Sequence, residues 1–309
     1  MKAFYAHGKL LISAEYMVLH GSKALAIPLQ KGQVLQRFRS ENRSVFSWEA
    51  RYGTDSWFSA RFNPANMAIV ETTDQAKAEF LRKLIRACIE LVPSFQQELF
   101  TWDVETELEF SPQWGFGSSS TLTALMAEWA DVNPLDLHFM ISEGSGFDVA
   151  CAIAERPILY WLRDDNPHYQ HVPFHPPFSD QLYFVWLGTK QPTTEHLITI
   201  AEQMDPGFED ILHFSTLSQQ MIETTELSEF RKLMDEHEAR IAALTKMKTV
   251  ASVSFPDLPG SVKSLGAWGG DFVMIASEED PDKLYSYLNE RGFSTIFKYE
   301  DLVYDVGDA

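Results

Sequence analysis

The segment "EFSPQWGFGSSSTLTALMAEW", residues 109–129, decides the fold because it joins two different hydrophobic patterns through a run of small residues. In residues 101–110, "TWDVETELEF", apolar and acidic side chains alternate, which predicts a half-buried β-strand with an acidic outer face. Beyond the small residues, apolar side chains recur at helical spacing until Asn133-Pro134; they are Leu122, Leu125, Met126 and Trp129. The segment therefore predicts a strand, a tight turn and a helix.

The junction itself consists of Gly115, Gly117, Ser118, Ser119 and Ser120, with Phe116 as its one large residue. A tight turn with positive φ and an N-cap serine would explain these small residues. So would a phosphate-binding loop, because small residues let backbone N–H groups approach an anion at a helix N-terminus. The spacing matches neither the P-loop, which needs Gly-Lys-Ser/Thr, nor the dinucleotide fingerprint, which needs a third glycine. The junction alone leaves both explanations open.

Composition limits the classes of protein. The chain has 309 residues, 45% of them hydrophobic, which is enough for a sizeable core and two domains. Its net charge of −19 makes nucleic acid and anionic membranes poor partners, although a nucleotide carried with Mg²⁺ is not excluded. Cys88 and Cys151 are too isolated for a disulfide framework or a zinc site. With no apolar run of about 18 residues, we expect a soluble, cytoplasmic protein.

Strand and helix patterns are mixed along the chain without a regular βαβ repeat, which predicts an α+β protein. Residues 163–180 carry four prolines and little periodicity, so we place a boundary near their end, giving domains 1–178 and 179–309. Asp74 is the expected N-cap of a helix that reaches Leu91. The other predicted elements are strands at 157–162, 181–189, 272–276 and 293–299, and helices at 193–204, 209–223, 226–247 and 281–291.

Two further glycine-rich stretches carry residues with chemical potential. In "SEGSGFDVACA", residues 142–152, Asp148 stands alone among small and apolar residues, where it either caps a helix or acts as a general base. In "LGAWGGDF", residues 265–272, the glycines before a strand are explained by a tight turn or bulge.

The N-terminal stretch "GKLLISAEYMVLHG", residues 8–21, adds two charged residues. Lys9 is expected to begin a strand and could be an ordinary lysine at a strand edge. Glu15 interrupts an apolar run, which a solvent-facing position explains most simply.

In sequence order, "GKLLISAEYMVLHG", "GFGSSS", "GSGFDVA" and "GAWGGDF" resemble the motifs of the GHMP kinases, a superfamily that includes galactokinase, homoserine kinase, mevalonate kinase and phosphomevalonate kinase. The third stretch is most similar to the mevalonate and phosphomevalonate kinase versions, and the set resembles a bacterial subgroup signed Gly-Tyr-Asp-Ile-Ala. The resemblance implies a two-domain α+β fold. Its N-terminal domain is like domain 2 of ribosomal protein S5, and its C-terminal domain is ferredoxin-like.

The resemblance also implies roles for individual residues. Gly115 to Ser120 would wrap the phosphates of ATP, and the hydroxyl of Ser119 or Ser120 would contact Mg²⁺. Asp148 matches the catalytic aspartate, and Lys9 matches the lysine that helps to polarise the substrate hydroxyl. The third motif, near phosphates and substrate, matches Gly266 to Asp271. The candidate substrate-binding residues are Glu15, Lys190, Gly266, Ala267 and Trp268.

Several positions depart from the family pattern. His7 stands where proline is common, Tyr16 replaces a frequent histidine, and Trp268 replaces a glycine of the third motif. Glu143 is too close to Asp148 to match a second metal ligand. These departures weaken the prediction of the substrate more than the prediction of the fold.

We therefore expect an ATP- and Mg²⁺-dependent kinase acting on a hydroxyl group of a small, anionic, mevalonate-like metabolite, as a monomer or homodimer. Lys190 and Lys263 are the expected anion contacts, unless they are ordinary surface charges. The alternative is a catalytically inactive protein of the same fold that binds a nucleotide or metabolite in regulation.

Overall fold

The computed structural model describes residues 3–188, 200–201, 203–266 and 271–306. The chain forms two compact units, both of which contain strands and helices, so the α+β prediction is confirmed. The first unit comprises Met1–Gly8, Lys31–Pro112 and Phe116–Ile153, and the second comprises Lys9–Gln30, Gln113–Gly115 and Ala154–Ala309. The domain boundary at residue 178 stays a prediction.

The strands are β1 (Ala3–Leu11), β2 (Ala24–Arg39), β3 (Phe46–Tyr52), β4 (Asp55–Phe62), β5 (Ile69–Thr72), β6 (Trp102–Leu108), β7 (Ile158–Arg163), β8 (Asn166–His171), β9 (Leu182–Trp186), β10 (Ser261–Leu265), β11 (Phe272–Ala276) and β12 (Ile296–Lys298). The α-helices are α1 (Gln75–Leu91), α2 (Ser118–Ala130), α3 (Pro134–Ile141), α4 (Phe147–Ala152), α5 (Phe208–Glu223), α6 (Leu227–Thr245), α7 (Val250–Ser254), α8 (Pro281–Glu290) and α9 (Tyr299–Leu302). Short 3₁₀ turns occupy Met17–His20, Pro93–Phe100 and Ser179–Gln181.

In the first unit, five strands are hydrogen-bonded in the order β5-β4-β3-β6-β2. The β3–β6 pair is parallel and the others are antiparallel. Strand β6 shows the alternation that its sequence predicts, since Val104, Thr106 and Leu108 are buried while Glu107 is exposed. The buried side chains of the sheet pack with those of α1, α2 and α3 in one hydrophobic core.

Helix α1 begins as predicted, because the Asp74 carboxylate accepts a hydrogen bond from the Lys77 N–H and so caps the first turn. Its inward face carries Leu81, Leu84 and Cys88, which are fully buried. Burial raises the pKa of the Cys88 thiol to about 12, which makes it an inert core residue.

In the second unit, the antiparallel order β10-β11-β9-β12 forms a four-stranded sheet. Helices α6 and α7 contact β10. A hydrophobic core lies between the sheet and the nearby helices; its buried members include Tyr183, Val185, Val262, Val273, Ile275, Leu284 and Leu288. The first residues of β2 also pair with β7, and β7 pairs with β8.

The structure differs from the sequence-based predictions at three places: two strands were missed and one residue was misplaced. Residues 163–180 contain strand β8, whose Pro167 is tolerated because β8 is the last strand of its sheet order and pairs only with β7. Strand β10 was missed, since it is short and buried at all five positions. Lys9 lies near the end of β1 rather than at the start of a strand. The predicted helix at 193–204 falls mostly outside the described residues.

Candidate active site

The turn before α2 is built on a left-handed glycine. Gly117 has φ 85° and is the N-cap of α2. Phe116, fully buried, precedes it and packs edge-on against Phe110, with 5.6 Å between ring centroids. The Ser120 and Thr121 N–H groups donate to the Gly117 carbonyl, which closes the first helical turn. Helix α2 therefore begins directly after the turn, and Ser118 and Ser119 are its first two residues.

This N-terminus suits an anion. The first N–H groups of a helix have no acceptor within the helix, and the helix dipole adds partial positive charge there. The first turn of α2 contains no acidic residue, and Ser119 is exposed. The hydroxyl of Thr121 donates to Gln33 of β2 over 2.6 Å, and both side chains are buried, so the first turn is anchored to the sheet.

Ser120 and Asp148 meet directly. The Ser120 hydroxyl is buried and donates to Asp148 Oδ2. Asp148 lies in the first turn of α4, which begins after a second left-handed glycine, Gly146, with φ 83°. Of the two serines proposed for Mg²⁺, Ser120 is therefore the one that contacts the aspartate. The hydrogen bond joins two residues that are 28 positions apart in sequence.

Within the second unit, Lys9 and Asp271 both approach Gly115. The Lys9 ammonium donates to the Gly115 carbonyl over 3.4 Å. A Cβ on residue 115 would lie only 2.0 Å from Asp271 Oδ2, so a larger residue would displace the Asp271 side chain. Asp271 lies near the end of the third glycine-rich stretch. Gly266, at its start, has φ 75°, whereas Ala267, Trp268 and the predicted anion contact Lys190 lie outside the described residues.

Glu15 is buried, which corrects the expectation that it faces solvent. Its carboxylate is 2% exposed, and Oε1 accepts a hydrogen bond from Lys263 over 2.5 Å. Lys263 is fully buried and its Nζ lies 3.7 Å from Glu238 Oε1. His237 of α6 also contacts Glu15. We call Glu15, His237, Glu238 and Lys263 the Glu15 cluster.

The protonation of the cluster follows from its geometry. His237 Nε2 accepts the Ala14 N–H over 2.8 Å, so this nitrogen carries no proton. Glu15 Oε2 lies 3.1 Å from the same nitrogen, whose single lone pair is already used by the Ala14 N–H. Two carboxylates share one ammonium, and burial raises the pKa of both Glu15 and Glu238 to about 7 despite Lys263. Burial and then Lys263 lower the pKa of His237, which keeps the imidazole neutral. The cluster is therefore best satisfied with one extra proton.

The sequence offered a signal for the two residues of α6 that were missed. Phe230, Leu233, Met234 and Ile241 form its buried stripe. His237 and Glu238 occupy the same stripe at helical spacing, and polar residues in such positions indicate a buried polar contact.

Comparisons with known proteins identify the fold. No protein-family model matches the chain. No curated protein matches it either. Among solved structures, Streptococcus pneumoniae phosphomevalonate kinase in complex with phosphomevalonate and AMPPNP matches with a TM-score of 0.71 at 15% identity, over 96% of this chain and 100% of that one. The chain has the fold of the GHMP kinases.

Two other structures agree. Methanococcus jannaschii mevalonate kinase matches with a TM-score of 0.70 at 15% identity, over 96% of each chain. Lactococcus lactis galactokinase complexed with galactose matches with a TM-score of 0.65 at 12% identity, over 96% of this chain and 92% of that one. The GHMP resemblance of the four motifs is thus confirmed for the fold. None of the described helices is long and apolar enough to cross a membrane.

The Glu15 cluster predicts a specific pH dependence of stability. A carboxyl whose pKa is raised from 4.5 to about 7 binds its proton more tightly in the folded protein, so stability is lost as pH rises through 5 to 8. Glu238→Gln leaves one carboxylate for one ammonium, so urea unfolding should show a flatter pH profile than the wild type. The wild-type unfolding equilibrium constant should rise more steeply with pH than that of Glu238→Gln, by up to about tenfold per pH unit, which corresponds to one proton.

The matched control is Glu229→Gln, which changes an exposed glutamate on the same helix. It should leave the profile unchanged. Identical slopes for Glu238→Gln and the wild type would show that the cluster holds no extra proton.

The Gly117 turn predicts the behaviour of one substitution. In Gly117→Val, a β-branched side chain disfavours positive φ and crowds the N–H groups of the first turn. Affinity for Mg²⁺–AMPPNP, measured by calorimetric titration, should fall about tenfold or more, the cost of losing a charge-assisted hydrogen bond.

Gly53→Val is the control, because Gly53 also has positive φ but lies in a β-turn with open space around it. Both variants should lose stability, and only Gly117→Val should lose affinity. Equal nucleotide affinities in the two folded variants would reduce Gly117 to a turn residue.

Proposed function

We propose that the chain is an ATP-dependent kinase that phosphorylates a hydroxyl group of a small, anionic metabolite. The observation that carries this proposal is the hydrogen bond from Ser120, at the N-terminus of α2, to Asp148. It joins a helix end suited to phosphate with a carboxylate suited to proton transfer. The GHMP kinase fold supports the same interpretation, since the three solved structures compared above are small-molecule kinases.

The phosphates of ATP would be held by the backbone of residues 115–120. Gly117 supplies the turn, and the N–H groups that α2 leaves without internal acceptors would donate to phosphate oxygens. The wild-type glycine at position 115 keeps the adjacent space for Asp271.

Ser120 and Asp148 would also hold Mg²⁺. A hydroxyl and a carboxylate are hard oxygen donors, which fit this cation. No group of three or more metal-binding side chains occurs among the described residues, and a nucleotide-bound Mg²⁺ needs only one or two protein ligands. When bound, Mg²⁺ would neutralise charge on the β- and γ-phosphates.

Asp148 would accept the proton of the substrate hydroxyl or orient that hydroxyl for attack. Its Oδ2 is held by Ser120, and its Oδ1 accepts the N–H of Val149 over 3.2 Å, so the carboxylate is fixed in one orientation. Lys9, half-buried on β1, would stabilise negative charge that develops during transfer. Phosphoryl transfer depends mainly on such positioning and charge stabilisation.

Mevalonate and its phosphate are the first acceptors to test, because mevalonate and phosphomevalonate kinases are among the matching structures. The structure removes one of the two lysines that were expected to contact an anion. Lys263 is buried against two carboxylates, which corrects the expectation that it contacts an anion and also excludes the alternative that it is a surface charge. Lys190 stays a prediction. The role of Glu15 as a substrate contact also stays a prediction. Its burial against Lys263 favours a structural role instead.

A screen of ATP consumption tests the function. Mevalonate, phosphomevalonate, homoserine and galactose are each supplied with Mg²⁺–ATP, and product formation is followed by phosphorus NMR. One of the acids should be phosphorylated in preference to galactose. Preference for the neutral sugar would contradict the substrate class. Nucleotide binding without transfer to any acceptor would favour a nucleotide-binding protein that has lost catalysis.

Asp148→Asn should lower the turnover of the accepted substrate by about 10²–10⁴, because it removes the general base. Affinity for AMPPNP measured without Mg²⁺ should change little, because the N–H groups proposed to hold the phosphates are untouched. Asp136→Asn is the matched control, since Asp136 is an exposed aspartate in the first turn of α3. Near-complete turnover in Asp148→Asn would assign Asp148 a structural role.

A further inference from the structure

The Glu15–Lys263 ion pair joins two segments that are 248 residues apart in sequence and both belong to the second unit. Glu15 lies in the turn that follows β1, the strand that carries Lys9. Lys263 lies in the middle of β10, which ends one residue before Gly266. The pair therefore links the N-terminal motif with the third glycine-rich motif.

The turn that holds Glu15 adopts an unfavourable backbone conformation. Ala14 has φ 60° and Tyr16 has φ 62°, and neither is a glycine. For residues with a Cβ, this region is disfavoured and persists only where surrounding contacts hold it. Glu15, between them, is anchored by Lys263, while the Ala14 N–H is anchored by His237. Without these anchors the turn is expected to relax.

Lys9 in β1 and Asp271 in the third glycine-rich motif also approach Gly115. On one side, Lys9 of β1 donates to the Gly115 carbonyl. On the other side, β10 pairs with β11, and Leu265 at the end of β10 lies opposite Phe272 at the start of β11. Asp271 directly precedes Phe272. The Asp271 carboxylate fills the space beside Gly115. The ion pair and the contacts at Gly115 thus connect the N-terminal motif with the third glycine-rich motif and its flanking strands at two points.

We propose that Glu15 and Lys263 are positioning residues, whose buried ion pair holds β1 and β10 so that Lys9 and Asp271 stay in contact with Gly115. This inference rests on the proposed function, because holding Gly115 in place matters only if residues 115–120 bind the phosphates of ATP. Glu15 then acts through the backbone and does not contact substrate.

The burial of the pair makes this role physically reasonable. A buried ion pair gives little net stability compared with apolar side chains, but removal of one partner leaves an uncompensated charge. Such a pair fixes the relative position of the two segments, because either charge loses its partner if they shift. Glu238 and His237 complete the surroundings of Lys263 and Glu15, and Ser264 donates to Glu238 over 3.3 Å.

The environment of Lys9 provides a readout that does not depend on catalysis. Lysine labelled with ¹³C at Cε gives one NMR signal for each lysine, and the Lys9→Arg variant assigns the signal of Lys9. In nucleotide-free protein, Lys263→Met should move the Lys9 signal to the chemical shift of a solvent-exposed lysine, because the contact with the Gly115 carbonyl is lost. Glu15→Gln should move it in the same direction by a smaller amount, because the amide keeps the shape and one acceptor.

Arg240→Gln is the control, since it breaks the ion pair between Arg240 of α6 and Asp210 of α5 and changes no member of the Glu15 cluster. It should leave the Lys9 signal unchanged. Lys263→Met should lower the melting temperature by about 10 °C, so spectra are recorded well below the transition. If Lys263→Met does not fold, Glu15→Gln carries the test by itself. An unchanged Lys9 signal in a folded variant would overturn the proposal.

The proposed function is tested separately with the same sample. Adding Mg²⁺–AMPPNP to the wild type should shift the Lys9 signal if the loop binds the phosphates. A shift on mutation without a shift on nucleotide addition would support the positioning role and contradict the kinase role. The reverse result would support the kinase role and contradict the positioning role.

Discussion

The left-handed turn at Gly117 is the constraint on which the candidate site depends. The chain enters α2 through Gly117, whose φ of 85° lies in the left-handed region. A residue with a side chain would resist this conformation. The turn exposes the first N–H groups of α2 and carries Ser120 to Asp148. The structural and the phosphate-binding explanations of the glycine-serine junction are therefore compatible, because the turn geometry is the means by which a phosphate site could form.

Two kinds of polar contact support this arrangement. Near α2, neutral hydrogen bonds such as Thr121 to Gln33 anchor the helix to its sheet within the first unit. In the second unit, the Glu15 cluster uses buried charge, which is costly to remove from water and requires close partners. Its two carboxylates and one ammonium leave the balance of charge dependent on a proton near neutral pH. A cluster of this kind favours one geometry strongly, at a cost in stability as pH rises.

Much of this could be predicted from local sequence patterns. The alternation in residues 101–110, the Asp74 cap and the helical spacing after Ser120 each depend on near neighbours in the chain, and the structure confirms them. The Ser120–Asp148 contact was not predictable from spacing, since it depends on how α2 and α4 pack. The burial of Glu15 and Lys263 was missed for the same reason. Each looks like a surface charge in its own segment, and only the fold brings the two together over 248 residues.

The most direct test of the account is a crystal structure with AMPPNP and Mn²⁺, in which anomalous scattering locates the metal. The account predicts that phosphate oxygens accept hydrogen bonds from the N–H groups at the start of α2, and that the metal is bound by Ser120 Oγ or Asp148. A nucleotide bound away from residues 115–120, or a metal held by neither residue, would contradict it.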